Sequence, residues 1–225
     1  MIQLSSSLQG GIVLHIPDGI LDPKVWGASA VVSAVVLAKS VQYSKKRLEY
    51  RAVPIMGVMS AFIFAAQMVN FPVLGAASSG HLIGGALAAF LFGFWPATLI
   101  MSTVVAIQAI VFQDGGITAL GANLLNMAIL APGAAAVAFS LLRRLPFLPK
   151  SVSIFISSWV SVTFVALIGA IELALSGVAP FGTAAGALLF WHAFIGIGEG
   201  LITVVVMPFA LRSSFQLANK ESMHP

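Results

Sequence analysis

The sequence predicts an all-helical, polytopic membrane protein with about seven transmembrane helices, and three observations carry that prediction. Of 225 residues, 59% are hydrophobic and only 8% are charged, whereas ordinary soluble chains carry roughly 25% charged residues. The apolar residues fall into blocks of membrane-spanning length, and the mean hydropathy is +1.03. The Lys and Arg residues concentrate in alternate connections between those blocks. Eleven basic and seven acidic side chains cannot solvate the surface of a soluble protein this long.

A spanning helix needs about 20 mostly apolar residues. Seven candidates follow in order, at about 25–43, 53–71, 81–94, 96–113, 119–142, 151–175 and 186–211. The third is short and runs into Trp95-Pro96, so it forms a tight helical hairpin with the fourth. Residues 15–212 thus make one transmembrane domain. Residues 1–14 read as a leader or a mis-assigned start, and 213–225 as a cytoplasmic tail. Residues 1–14 lack the basic residue and apolar run of a secretory signal.

Orientation follows from the excess of positive charge in cytoplasmic connections. Lys45, Lys46, Arg47 and Arg51 fill the first connection, Arg143, Arg144 and Lys150 the fifth, and Arg212 and Lys220 follow the last span. Seven spans place all of these on one side, with the N-terminus outside and the C-terminus cytoplasmic. An even number of spans would scatter them. The net charge of +4 therefore encodes topology. Nucleic-acid binding would need a clustered basic face on a soluble surface, and none is present. The chain has no cysteine, which excludes disulfides, thiol catalysis and Cys-type zinc sites.

The opposite, outer face collects a different chemistry. His15, Asp18 and Asp22 precede the first span. Gly75 to His81 precede the third, Gln113 to Gly116 follow the fourth, and His192 lies in the outer part of the seventh. Imidazole favours late first-row divalent metals, whereas carboxylate and carbonyl oxygens favour harder ions. His15 and His81 sit in Gly-, Ser- and Pro-containing loops that can fold around an ion. Short or Gly-interrupted segments such as the third span are the best sequence pointers to transporter sites. Either imidazole alone could equally be a solvated interfacial residue.

His192 and Glu199 are seven residues apart and share a face of the seventh span, roughly 10 Å apart along its axis. An intramembrane ionisable residue points to function by default, yet Glu199 could equally be hydrogen-bonded to a neighbouring helix. Its setting, Gly196-Ile197-Gly198-Glu199-Gly200, permits close packing. Asn123 and Asn126 could anchor the outer loops or cap their own helix. Ala61 and Ala65 form a pair of small residues four apart, suited to close helix approach but unspecific. The phosphate-loop pattern G-x-x-x-x-G-K-[ST] is absent, as are the zinc-protease and serine-hydrolase signatures. The chain is not an enzyme, and any energy comes from an ion gradient or another subunit.

Four blocks resemble the nickel/cobalt substrate-binding components of energy-coupling-factor transporters, the CbiM/NikM family. They are His15-Ile16-Pro17-Asp18-Gly19, Ser79 to Gly85, Gln113 to Asn123, and His192 to Gly200, in the family's order and spread over nearly the whole chain. The resemblance implies a seven-span protein that captures Ni(II) or Co(II) outside. Its implied partners are a transmembrane coupling protein, two ATP-binding-cassette ATPases and a small accessory membrane protein. It implies imidazole ligands at His15 and His81 and contact of Ala61 and Ala65 with the coupling protein; Asp18, Asp114, Asn123, His192 and Glu199 lie in the matched blocks and are candidates to support the ligands.

The same resemblance implies a mature chain that begins Met-His and binds metal through its terminal amine, the next amide nitrogen and two imidazoles. Amine, amide and imidazole of one X-His unit close adjacent chelate rings, and four nitrogens in a plane suit Ni(II). Here His15 follows Leu14 and thirteen further residues, so the terminal amine of the full chain cannot close that ring. A start at Leu14 as initiating Met, removal of the leader, or a different ligand set would reconcile the two, and the first is preferred. A gradient-driven transporter with Glu199 as coupling carboxylate is the alternative reading. A membrane metalloenzyme fits less well, for want of a paired general base and an open-site motif.

Overall fold

The computed structural model describes residues 15–50, 52–68, 71–73 and 78–212, without the side chains of 71–73, 78–80 and 212. Leu14 and the rest of the leader, Arg51, residues 75–77 of the expected outer loop, and the tail with Lys220 and His224 lie outside the described residues. Among the described residues seven helices follow one another: α1 Pro23–Arg47, α2 Ala52–Gln67, α3 Gly85–Phe92, α4 Phe94–Val111, α5 Leu120–Leu142, α6 Lys150–Leu175 and α7 Phe181–Arg212. A hairpin of two short antiparallel strands, β1 Phe71–Val73 and β2 Ser78–Gly80, connects α2 to α3.

Five of these helices, α1, α4, α5, α6 and α7, are long and apolar enough to cross a membrane, and α2 is a shorter apolar helix. The chain is a multi-pass membrane protein. The third element departs from the expected span. Residues 81–84 are non-helical and α3 has only eight residues, seven of them buried. It enters the bundle part-way down, beside Ile63 of α2 and Ala131 and Pro132 of α5. Hydropathy cannot separate such a segment from a span, because protein-buried backbone at membrane depth is as apolar as a lipid-facing helix. The expected second span likewise ends early, at Gln67, and its last expected residue, Phe71, belongs to β1.

The turn between α3 and α4 is a single residue. Gly93 has φ +78°, its N–H closes α3 on the carbonyl of Ala89, and its own carbonyl accepts from Ala97 in the first turn of α4. A side chain is strained in that left-handed conformation, so glycine makes this reversal possible.

Helix α1 starts on Asp22, whose side chain accepts from the Lys24 N–H at 2.8 Å, and has Pro23 in its first turn. It ends with Lys45, Lys46 and Arg47 in its last turn, the favourable end for positive charge. Its buried face is made of serines 29, 33, 40 and 44, while Val31, Val32 and Val35 are exposed. Ser33 donates to the Gly121 carbonyl at 2.8 Å, and Ser40 donates to the Trp95 carbonyl. Helix α5 is wound as a π-helix over Leu124–Leu130 before continuing as Ala131–Leu142. Pro132 has no N–H for the Ala128 carbonyl and its ring crowds that turn, which accounts for the widened winding just before it.

The main core surrounds α3 and contains Ile63, Ile83, Leu87, Met101, Met127 and Val165. A second cluster, with Ile16, Leu21, Ala122, Ala170 and Leu188, lies under the segment that carries His15. Helices α6 and α7 pack tightly where Gly196 faces Trp159 and Gly200 faces Phe155. By connectivity, the ends bearing Lys45 to Arg47, Arg143, Arg144 and Lys150 lie opposite the end where residues 15–22 enter α1. The charge pattern in the sequence anticipates this arrangement.

Candidate metal centre

Three non-helical segments converge: residues 15–22, residues 81–84 and residues 112–119. Asn123, near the start of α5, holds the first segment. Its side-chain oxygen accepts the Ile16 N–H at 2.9 Å and its amide donates to the Ile16 carbonyl at 3.1 Å, all fully buried. The same carbonyl accepts the Gly116 N–H at 2.9 Å. Gly116 leaves no room for a side chain, since a Cβ there would stand 2.4 Å from the Asp18 nitrogen. Asp18 Oδ1 accepts from the Thr118 N–H at 2.7 Å and from its hydroxyl at 2.5 Å. These bonds, the hydroxyl's foremost, hold the Asp18 carboxyl below its usual range.

This scaffold places His15 against His81. The rings stack with centroids 4.7 Å apart and an interplanar angle of 19°, and the residues are 3% and 5% exposed. Each ring has one anchored nitrogen. His15 Nδ1 lies 3.4 Å from Asp114 Oδ1, and His81 Nδ1 lies 2.9 Å from the Leu82 carbonyl. Among the described residues neither Nε2 has a hydrogen-bond partner, although both are buried. Burial lowers the His81 pKa to about 4, with His15 adding to the effect, so the ring is neutral at ordinary pH. The hydrogen bond with His15 lowers the Asp114 pKa.

Two buried imidazoles, each with an unpartnered nitrogen, are suited to a late transition-metal ion. Among the described residues no group of three or more His, Cys, Asp or Glu side chains could hold a metal.

The remaining expected residues separate. His192 is buried and bonds through Nδ1 to the Leu188 carbonyl of its own helix at 2.7 Å. It is near enough to His81 to act on it electrostatically. Glu199 accepts two backbone bonds, from Ile83 at 2.9 Å and Gly84 at 2.8 Å, at the start of α3. Asn126 donates to Glu172 at 2.6 Å, away from the imidazole pair. Ala61 and Ala65 lie exposed on α2, and Ala61 lines a groove of about 490 Å³ between α2 and α4.

Two residues carry contacts that sequence reasoning missed. Gln67 donates to the Ile83 carbonyl at 2.5 Å, and Gln108 donates to Gln67 Oε1 at 2.8 Å. Both are buried. The available signal was an amide side chain isolated in an apolar helix.

Fold and site together define a multi-pass membrane transport component. The chain belongs to the CbiM family: the family model described as the cobalt uptake substrate-specific transmembrane region matches residues 15–217. It is 40% identical over 198 residues to a putative metal transport protein of Haloquadratum walsbyi, covering 87% of this chain and 89% of that one. A putative fused nickel transport protein NikMN of Archaeoglobus fulgidus is 39% identical over 199 residues, 87% of this chain and 65% of the longer relative. The crystal structure of a truncated transition metal transporter superposes with a TM-score of 0.81 at 33% identity, over 88% of this chain and 98% of that one. The chain is thus a substrate-specific transmembrane component of cobalt or nickel uptake, and not an enzyme.

Proposed function

We propose that this chain is the metal-capturing component of an ATP-driven energy-coupling-factor importer, and that it binds Ni(II) or Co(II) where His15 meets His81. The observation that carries this reading is the stacked, buried pair of imidazoles, with Nε2 of His81 buried and unpartnered. Two further ligands are the His15 amide nitrogen and the amine of residue 14, with Leu14 translated as the initiating Met. The family match beginning at His15 supports that start. Only Nδ1 of His15 can close a six-membered ring with its own amide. Turning it toward the ion releases Asp114, whose negative charge stays beside a dication.

The site lies at the outer end of the bundle, opposite the basic connections. Transport energy comes from two ATP-binding-cassette subunits, acting through a transmembrane coupling protein, with a small accessory membrane protein beside them. Exposed Ala61 and Ala65 and the neighbouring groove support contact with the coupling protein along α2. The geometry does not favour a gradient-driven carrier run by Glu199, because both of its oxygens are committed to backbone N–H groups.

The test is titration with Ni(II) and Co(II) of three purified proteins: the chain starting Met-His at position 14, the full chain, and a His81→Ala variant. Tight binding by the first alone is expected. Equal binding by the first two refutes the terminal chelate, and unaltered binding by His81→Ala refutes the site. N-terminal mass spectrometry of natively expressed protein reports the start independently.

A further inference from the structure

The peptide group joining Leu82 to Ile83 is held from both sides. Its carbonyl contacts Nδ1 of His81 at 2.9 Å, and its N–H donates to Glu199 Oε2 at 2.9 Å. The next peptide group, joining Ile83 to Gly84, is gripped in the same way. Its N–H donates to Glu199 Oε1 at 2.8 Å, and its carbonyl accepts from Gln67 at 2.5 Å. Gln108 then orients Gln67 by donating to its oxygen at 2.8 Å, so that the Gln67 amide can present only N–H to Ile83. Glu199, Gln67 and Gln108 come from α7, α2 and α4, and each is at most 2% exposed.

Elsewhere a buried side-chain bond ties helix to helix, as from Ser161 to the Ala131 carbonyl. This set closes instead on a non-helical segment, directly after His81. A peptide group is planar, so fixing its N–H fixes the direction of its carbonyl. A carbonyl can only accept, so the His81 nitrogen facing it carries the proton. That leaves Nε2 of the neutral ring with a bare lone pair, the form that binds a metal. A carboxyl group accepting on the N–H side also strengthens the carbonyl as an acceptor, since hydrogen bonds in a chain polarise one another.

We infer that Glu199 is a positioning residue for His81, acting through the Leu82–Ile83 peptide plane to fix the ring's tautomer and depth, with Gln67 and Gln108 locking the plane that follows. This rests on the reading of His81 as a ligand. Glu199 and Gln67 touch no part of the ion's immediate surroundings. They set which nitrogen His81 offers and where.

The experiment uses whichever of the two chains binds Ni(II), the full chain or that starting at residue 14, labelled with ¹⁵N-histidine. Ring nitrogen shifts report the His81 tautomer in the metal-free protein, and Ni(II) titration reports affinity. Expected outcomes are an Nδ1–H tautomer in the wild type and a mixed population in Glu199→Ala. Groups that orient a metal-bound histidine typically matter by about 10–100-fold in affinity. A loss in that range is expected for Glu199→Ala and Gln67→Ala, with partial recovery in Glu199→Gln, whose amide oxygen still accepts one N–H.

Affinity within twofold of wild type in Glu199→Ala and Gln67→Ala overturns the inference. So does a loss of affinity with the wild-type tautomer intact, which marks a purely structural role. Should Glu199→Ala not fold, Glu199→Gln and Gln67→Ala decide the matter on the same readings. If His81→Ala binds as well as wild type, the metal-site reading itself falls. If only His81→Ala loses binding, the site stands and the positioning role fails.

Discussion

Replacing Asn123 with alanine removes the clamp between the His15 segment and α5. Two bonds are lost, those to the N–H and the carbonyl of Ile16. The carbonyl keeps the Gly116 N–H, so its loss is that of one net hydrogen bond, about 1 kcal/mol. The Ile16 N–H keeps no partner, and stranding a buried donor costs about 1–3 kcal/mol. The sum, about 2–4 kcal/mol, is the weakening of the preference for the seated position of the segment. If metal binding requires that position, apparent affinity falls by up to about 30–1000-fold.

The assay is Ni(II) titration of Asn123→Ala beside Asn126→Ala. Asn126 lies one turn further along α5, is equally buried, and bonds Glu172 without touching the His15 segment. Both variants should melt at lower temperature, but only Asn123→Ala should bind metal poorly. Wild-type affinity in Asn123→Ala, or an equal loss in Asn126→Ala, refutes the reasoning.

Three further outcomes follow from the same geometry. Gly116→Ala would set a Cβ 2.5 Å from Asp18 Oδ1 and closer still to backbone, so the loop must open and Ni(II) affinity should fall at least about tenfold. Gly27→Ala, with nothing within 4 Å, should bind as wild type. His81 is buried neutral with its pKa lowered from 6.5 to about 4, so the unfolded chain binds more protons than the folded one across that interval. Thermal stability of the metal-free protein should therefore be full above pH 6.5 and fall toward pH 4, and His81→Ala should remove that part of the slope. Finally, the chain has no cysteine, so Lys45→Cys and Val178→Cys give clean single labels; a membrane-impermeant thiol reagent applied to intact cells should reach Val178→Cys only. Labelling of Lys45→Cys instead would invert the topology.

Most of the helix order was legible because lipid-facing and buried helices alike must be apolar, and because Lys and Arg mark one side. The same physics hid the third segment. Residues 81–92 are apolar because protein surrounds them, and a hydropathy profile registers composition without its cause. His15 and His81 stood out because both fall in Gly-, Ser- and Pro-containing loops on one face of the expected topology. Their pairing could not be read from spacing, since 66 residues and two helices separate them. Gln67 and Gln108 were invisible for a different reason. Each is a lone polar residue in an apolar helix, and its meaning lies wholly in the partner that folding brings to it. Glu199 stood between two readings until its two backbone donors came into view.

The serine face of α1 has a consequence for the height of His15. A bilayer is a poor judge of where an apolar helix sits along its axis, because a shift by one turn exchanges one valine for another against the same hydrocarbon. Hydroxyl groups seated on particular carbonyls are not so permissive. Ser33 on Gly121 and Ser40 on Trp95 index α1 like the marks of a vernier, at two points seven residues apart. A slip of one turn, about 5.4 Å, would exceed the 4.7 Å between the two imidazole centroids. The level of His15 is therefore measured from inside the bundle, by side chains that lipid cannot imitate.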